Sequence, residues 1–366
     1  MEENKKLYLN KKILYIQNKD SRIYYFDYLR IICAFGVILI HVSANYYNSL
    51  NINSYEWKIA YYYNGISRFS VPNFFMISGA LFLCRDLSFK IIFNKYIKRL
   101  FIHLILWSII YSIIHVNLSK INIKTIFFQI LKGHYHLWYL FSIIGLYIII
   151  PFSREIAKNK KLLESFIYLY FIVLIVIPNY IYILSFYSEE TFKILNNLNS
   201  LFNLDTLSIN NFYFIVGYYL NNKKEKKKKF RIIIYLIGLF GFFFTTKISY
   251  NFSFMKKNKK INYFSNKNIN IFVISISTFI FFKNNFNNLE INKKKNNIIQ
   301  KIAKFTFGIY LIHPLIIEKI YQKYNVYNLQ INIILLIPII SLFLFVLSLI
   351  ICIFLNMIPI IGKYLI

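Results

Sequence analysis

Apolar runs of membrane-spanning length constrain this chain more than any other feature. They fall at about residues 26–46, 66–84, 101–118, 137–153, 163–184, 205–220, 231–247, 269–283, 302–321 and 331–356. A bilayer core needs roughly 20 apolar residues of helix to cross it. Mean hydropathy is +0.48, and 57% of the residues are hydrophobic and 20% aromatic. The expected fold class is therefore all-α, a polytopic membrane helical bundle of about ten transmembrane helices. The sixth run is the weakest, because Asp205, Asn210 and Asn211 leave it a short apolar core. No internal repeat is visible.

Residues 1–22 are polar and lysine-rich and read as a basic N-terminal arm. Residues 23–366 read as one membrane domain, with the Asn- and Lys-rich stretch 284–301 as a cytoplasmic linker. No short apolar segment precedes a small-residue cleavage site, so no cleaved signal peptide is expected and the first span directs insertion. Basic residues concentrate on the arm and after the even-numbered spans, for example Lys95, Lys98 and Arg99, or Lys293 to Lys295. By the positive-inside rule both termini are cytoplasmic and the chain is a multi-pass protein of the cell membrane. Lys256, Lys257, Lys259 and Lys260 run against that rule and point to a missed or re-entrant segment between 247 and 268.

The formal net charge of +30 would suggest nucleic acid in a soluble protein. Here the charge sits in loops of a chain biased throughout towards Ile, Lys, Asn, Phe and Tyr. The expected partners are membrane lipids, through their anionic headgroups, and not nucleic acid. Cys33, Cys84 and Cys352 lie within or at the ends of apolar runs, at spacings that suit neither a disulfide framework nor a metal site.

The first span, Asp27 to Tyr47, carries Arg30 and, eleven positions on, His41. Eleven helical steps make three turns and roughly 20°, so both side chains share a face, about 16 Å apart in depth. Asp27 lies one turn before Arg30, near the same face. An ionisable group facing hydrocarbon costs at least about 2.5–3.5 kcal/mol, so this stripe is expected to face a polar interior. Arg30 can pair with phosphates of a substrate and His41 can accept a proton from a hydroxyl. Alternatively Arg30 reaches the headgroups and His41 bonds a neighbouring helix.

Three further motifs stand out. In Arg68-Phe-Ser-Val-Pro-Asn-Phe-Phe-Met-Ile-Ser78-Gly79, the Ser-Gly pair is of the kind that lets helices approach closely. His134-Tyr-His136-Leu-Trp138-Tyr139 opens the fourth span, where Trp and Tyr ordinarily anchor at the interface. Two histidines at i and i+2 on a helix diverge, and no acidic or thiolate residue lies nearby, so no metal site is expected there. His313-Pro314, inside the ninth run, suggests a bent helix whose polar groups face the bundle. His103 and His115 read equally well as structural.

Taken together and in order, these stretches resemble the acyltransferase 3 family of integral membrane acyltransferases, especially its surface-polysaccharide O-acetyltransferase branch. The resemblance rests on DYLRIICAFGVILIHVSA, SVPNFFMISGALFL, HLWYLFSIIGLYIIIPF and FGIYLIHPLI, and extends from about residue 24 to the end. The family's arginine followed after ten residues by histidine is met by Arg30 and His41. Its Phe-Phe-x-x-Ser-Gly motif is met by Phe74, Phe75, Ser78 and Gly79. The family's Arg-x-x-Arg pair is met only at Arg99; Tyr96 occupies the first position, with Lys95 and Lys98 at hand to supply charge. No SGNH-type hydrolase domain is expected to accompany the membrane domain.

The resemblance implies transfer of an acyl group, usually acetyl, from cytoplasmic acetyl-CoA to a hydroxyl of a surface glycan or its lipid-linked precursor. It implies no permanently bound cofactor. His41 would act as general base or acyl carrier, with Arg30 and Asp27 beside it. Arg99, Lys98 and Lys95 would hold the donor, and Arg68, Ser78, His136, Trp138 and His313 would shape the acceptor side. The alternative is a transporter or flippase for similar glycans, since buried Arg and His also suit a proton-coupled carrier.

Overall fold

The computed structural model describes residues 22–115, 123–184, 187–201, 208–223, 227–255, 264–286, 293–323 and 332–365. All regular structure among them is helical. The chain opens with α1 (Tyr24–Ser49), α2 (Tyr55–Ile66), α3 (Ser70–Phe82) and α4 (Phe89–His115). Helix α5 (Ile123–Lys132) and one 3₁₀ turn (Tyr135–Leu137) lead to α6 (Trp138–Ile148), α7 (Ile150–Lys158) and α8 (Lys160–Leu184). Helices α9 (Glu189–Leu201), α10 (Ile209–Asn222), α11 (Lys228–Met255) and α12 (Ile269–Phe286) follow. The described chain closes with α13 (Lys293–Lys323), α14 (Ile333–Met357) and α15 (Pro359–Leu365).

Each expected apolar run carries helix. Among the described residues five helices, α1, α4, α8, α12 and α14, are long and apolar enough to cross a membrane. The pair Phe127–Ile148 and Ile150–Lys158, bent by 58°, makes a sixth if counted as one span. The bend falls at Ile149, with Pro151 in the first turn of α7, where its missing N–H costs nothing. Large side chains such as Phe240 and Phe243 on α11, or Phe343 and Phe354 on α14, face outward. With these apolar exteriors the bundle is a membrane protein.

Two boundaries differ from the sequence expectation. The run 66–84 begins with a turn, and its outer part joins α2, whose first N–H groups are capped by Ser54 accepting from Trp57 N at 3.0 Å. The stretch 284–301, expected to be a linker, is helical wherever it is described: residues 284–286 close α12 and residues 293–301 open α13. No Gly or Pro lies between Lys293 and Phe307, so nothing stops α13 from extending beyond its apolar segment. The arm up to residue 21 and the lysines between 256 and 263 lie outside the described residues.

Helix α1 is the axis of the bundle. Of its apolar window 67% is buried, against 22% for α8. Its first half (Tyr25, Phe26, Leu29, Cys33) packs into one apolar core with Phe75 of α3, Phe212 of α10 and Phe279 of α12. Its second half (Ile38, Val42, Tyr46) packs into another with Trp57, Trp107, Ile312 and Leu344. Helices α3 and α10 cross at backbone contact: a Cβ on Gly79 would overlap the Phe214 carbonyl, and one on Gly217 would overlap the backbone of Met76. Small residues permit this approach, and in lipid such packing holds helices together. The close-packing reading of Ser78-Gly79 thus holds.

Candidate active site

The polar stripe of α1 faces the interior, and its two ends meet different groups. At the His41 end, the imidazole is half-buried and lies 5.2 Å, centroid to centroid, from His313 and 5.5 Å from Tyr135. His313 is fully buried, in α13. Its Nδ1 is 3.1 Å from the Ile309 carbonyl. A carbonyl only accepts, so Nδ1 carries the proton and Nε2 is left as an acceptor within the cluster. His136, 6.1 Å from His313, comes from the 3₁₀ turn, and its carbonyl accepts a short hydrogen bond from Tyr310 Oη.

Arg68, which follows α2, is tied to α1 beside His41. Its Nε donates to Asn64 Oδ1 at 2.9 Å, and Asn64 Nδ2 donates to the Ile40 carbonyl at 2.8 Å and to Ser43 Oγ at 3.1 Å. His41 therefore sits in the field of the Arg68 charge. An imidazole that can take a proton, next to a fixed guanidinium that can stabilise negative charge, is a constellation suited to acyl transfer to a hydroxyl.

At the other end, Asp27 is buried and shared by two arginines. Arg22 Nε is 2.6 Å from Oδ2, and Arg30 Nη1 is 3.3 Å from Oδ1. The Arg30 charge reaches Tyr139 and Tyr147; Tyr139 packs on Phe74 and Phe75 of the Ser78 helix, at 6.1 and 5.0 Å, and Ser78 Oγ donates to the Phe74 carbonyl at 2.9 Å. Tyr139 packs 5.5 Å from Tyr310, and Tyr310 packs 5.5 Å from His136. A continuous wall of tyrosines thus links the Ser78 region to the histidines. Neutralising the buried carboxylate by Asp27→Asn is expected to cost about 1–3 kcal/mol, the ordinary penalty for leaving buried polar partners unmatched. A lower Tm of the purified variant in detergent would show it; an unchanged Tm would mean the two arginines do not depend on this charge.

A third group lies beyond this end. A cavity of about 820 Å³ is lined by Lys95, Lys98, Arg99, His103, Lys304 and Tyr364, with no Asp or Glu among the described residues that line it. Lys95, Lys98, Arg99 and Ile102 recur at helical spacing on α4, which turns them to one side. His103 Nδ1 donates to the Arg99 carbonyl at 2.7 Å, while its Nε2 is buried without a hydrogen-bond partner. Tyr96, at the position of the missing arginine, packs against Phe82 at 4.8 Å instead of lining the cavity.

The structure thus brings His41, Arg68, His136 and His313 together, pairs Arg30 with Asp27, leaves Ser78 bonded to the Phe74 carbonyl of its own helix, and gathers Lys95, Lys98 and Arg99 in one cavity. Trp138 departs from the expectation: its side chain is 45% exposed on the outer surface of α6, the position of an interface anchor. The expected divergence of His134 and His136 is also not observed. His134 precedes the 3₁₀ turn with extended backbone, so the two imidazoles meet, Nδ1 to Nδ1, at 2.7 Å. Sequence reasoning named His103 without giving it a role, and missed Asn64, Lys304, Tyr135 and Glu318. Of these only Glu318 carried a signal, as the lone acid among the residues of α13 that follow His313-Pro314.

Apolar helices surround a histidine cluster, with a separate basic cavity, in a helical membrane bundle whose interior carries polar and ionisable groups. The chain belongs to the acyltransferase domain family Acyl_transf_3, which matches residues 23–357, nearly its whole length. It is a membrane acyltransferase. No curated protein and no solved structure matches it.

Proposed function

We propose that the protein moves an acyl group, acetyl above all, from cytoplasmic acyl-CoA to a hydroxyl of a cell-surface glycan or its lipid-linked precursor. The observation that carries this reading is the pairing of a cation-lined cavity with a remote histidine cluster. The cavity volume, about 820 Å³, falls in the range of cofactor sites, roughly 300–1,000 Å³. Lys95, Lys98, Arg99 and Lys304 suit the phosphates of CoA. The lysine-rich end is read as cytoplasmic, in keeping with the positive-inside rule.

In this reading the acyl-pantetheine arm runs from the cavity past Arg30, Ser78 and the tyrosine wall to His41. His41 removes the acceptor hydroxyl proton while the oxygen attacks the thioester carbonyl. An ester C–O bond forms, the C–S bond breaks, and the proton passes to the CoA sulfur. Arg68 stabilises the negative charge that develops on the carbonyl oxygen. His313 Nε2 and His136 orient His41 and the acceptor.

The test uses membranes containing the protein, acetyl-CoA labelled in the acetyl group, and acceptors from the native source. Label appearing in a glycan or lipid fraction with release of CoA supports the proposal. Absence of both, with folded protein, overturns it. A second expectation concerns the donor. Arg99→Ala should raise KM for acetyl-CoA by roughly 10–100-fold, since one hydrogen bond to a charged group contributes about 1.5–3 kcal/mol. The KM for the acceptor should not move. An unchanged donor KM would remove the cavity from the donor path.

A further inference from the structure

A second cluster of ligating side chains lies at the histidine end of the bundle, outside the residues assigned to the transfer step. His115 ends α4, His134 precedes the 3₁₀ turn, and Glu318 follows His313 by five residues on α13. Glu318 Oε2 is 3.0 Å from His115 Nε2, and Oε1 is 3.1 Å from His134 Nε2. All the donor atoms lie within 4.8 Å of one another. The acidic partner that the local sequence lacks is supplied by a distant helix. We propose that His115, His134 and Glu318 form a binding site for one divalent transition-metal ion of the zinc class.

Four arguments carry the assignment. Bonds of about 2.0–2.1 Å to a tetrahedral ion place donors roughly 3.3 Å apart; each imidazole is 3.0–3.1 Å from one oxygen of Glu318, and the whole set lies within 4.8 Å, near enough for one ion to draw together. Two imidazoles and one carboxylate form a three-residue set that leaves a fourth position open. The ligands are held in place before any ion arrives: the His134 ring stacks on Tyr111 at 4.1 Å and 7°, and Tyr111 Oη donates to the Leu311 carbonyl at 2.9 Å. Metal-bound histidines also need a partner on their other ring nitrogen, and His134 Nδ1 has one in His136 Nδ1, 2.7 Å away.

That last contact couples the metal to the histidine cluster. A neutral His134 that ligates through Nε2 carries its proton on Nδ1 and donates it to His136 Nδ1. His136 then holds its own proton on Nε2, a buried atom. The ion thereby sets His136 as a hydrogen-bond donor within the cluster. The site is independent of the acyl-transfer reading, because metal is measured without turnover.

The experiment uses the full chain purified in detergent with a histidine-free tag, loaded with Zn²⁺ and freed of excess ion. Elemental analysis should find one zinc per chain, and less than about a tenth of that in His115→Ala and Glu318→Gln. Zn²⁺ should raise the Tm of the native protein, but not of either variant, since a ligand bound only to the folded state stabilises it. His103→Ala, remote from the cluster, should retain the metal. Co²⁺ should give the intense visible bands of a four-coordinate site. Equal zinc in the native protein and both variants, or no zinc in any of them, would overturn the proposal.

Discussion

Membranes carrying His41→Ala are expected to transfer labelled acetyl at about 10²–10⁴-fold below the native rate, the usual contribution of a positioned general base. The effect should fall on kcat, because the donor cations lie in a separate cavity lined by Lys98, Arg99 and Lys304. His41→Gln keeps most of the volume and a hydrogen-bonding tip but cannot cycle a proton, so it should be equally impaired. Two readouts separate chemistry from folding. The variants should melt within a few degrees of the native protein, since His41 is half-buried against other rings and is not packed into either apolar core. They should also bind acetyl-CoA with native affinity. A folded His41→Ala protein with full activity would remove His41 from the chemistry. Acetyl found on the native protein and absent from the variant would favour the acyl-carrier role over the base.

Gly79→Val is expected to abolish folding of the bundle. The substituted Cβ would overlap the Phe214 carbonyl, and the reciprocal contact at Gly217 already brings Met76 backbone against α10. Both obstacles are main chain, so no rotamer change relieves them. Ordinary overpacking costs about 1–3 kcal/mol, and separating two helix backbones costs more. Size-exclusion chromatography in detergent should show loss of the monodisperse peak. Gly145→Ala is the control: nothing lies within 4 Å of its Cβ position, and a helical Gly→Ala change there should stabilise by about 0.5–1 kcal/mol. A Gly79→Val protein that elutes and melts like the native one would show that α3 and α10 can cross at larger separation. Because α3 also carries Ser78, such a protein would still be expected to lose activity.

The two halves of the candidate site were unequally legible. The α1 stripe followed from spacing, because facing hydrocarbon is costly for an ionisable residue, and of the two readings left open the inward one holds for Arg30 and His41. Lys95, Lys98 and Arg99 were read from the sequence as loop charge, with a donor role only through the family resemblance; the helix that turns them to one side of a cavity came from the structure. Trp138 misled, because an aromatic at a membrane interface lies as readily on the outside of a helix as in a site. The i, i+2 argument for His134 and His136 assumed regular helix, and the extended backbone at His134 removed that premise. Arg68 could be named from its motif, but its link to Ile40 and Ser43 through Asn64 could not.

By itself, then, the sequence determined what local pattern governs: helices wherever apolar runs exclude water from the backbone, burial of the α1 stripe, close approach at Gly79, and the family through its ordered motifs. Only the tertiary structure decided which helices meet. It set His313 against His41, Lys304 into the cavity of Lys98 and Arg99, and Glu318 between His115 and His134. Hydrophobic periodicity states which face of a helix turns inward, but not which neighbour it finds there. That choice belongs to packing, where the fit of backbones at residues such as Gly79 and Gly217 selects one arrangement among many with the same pattern.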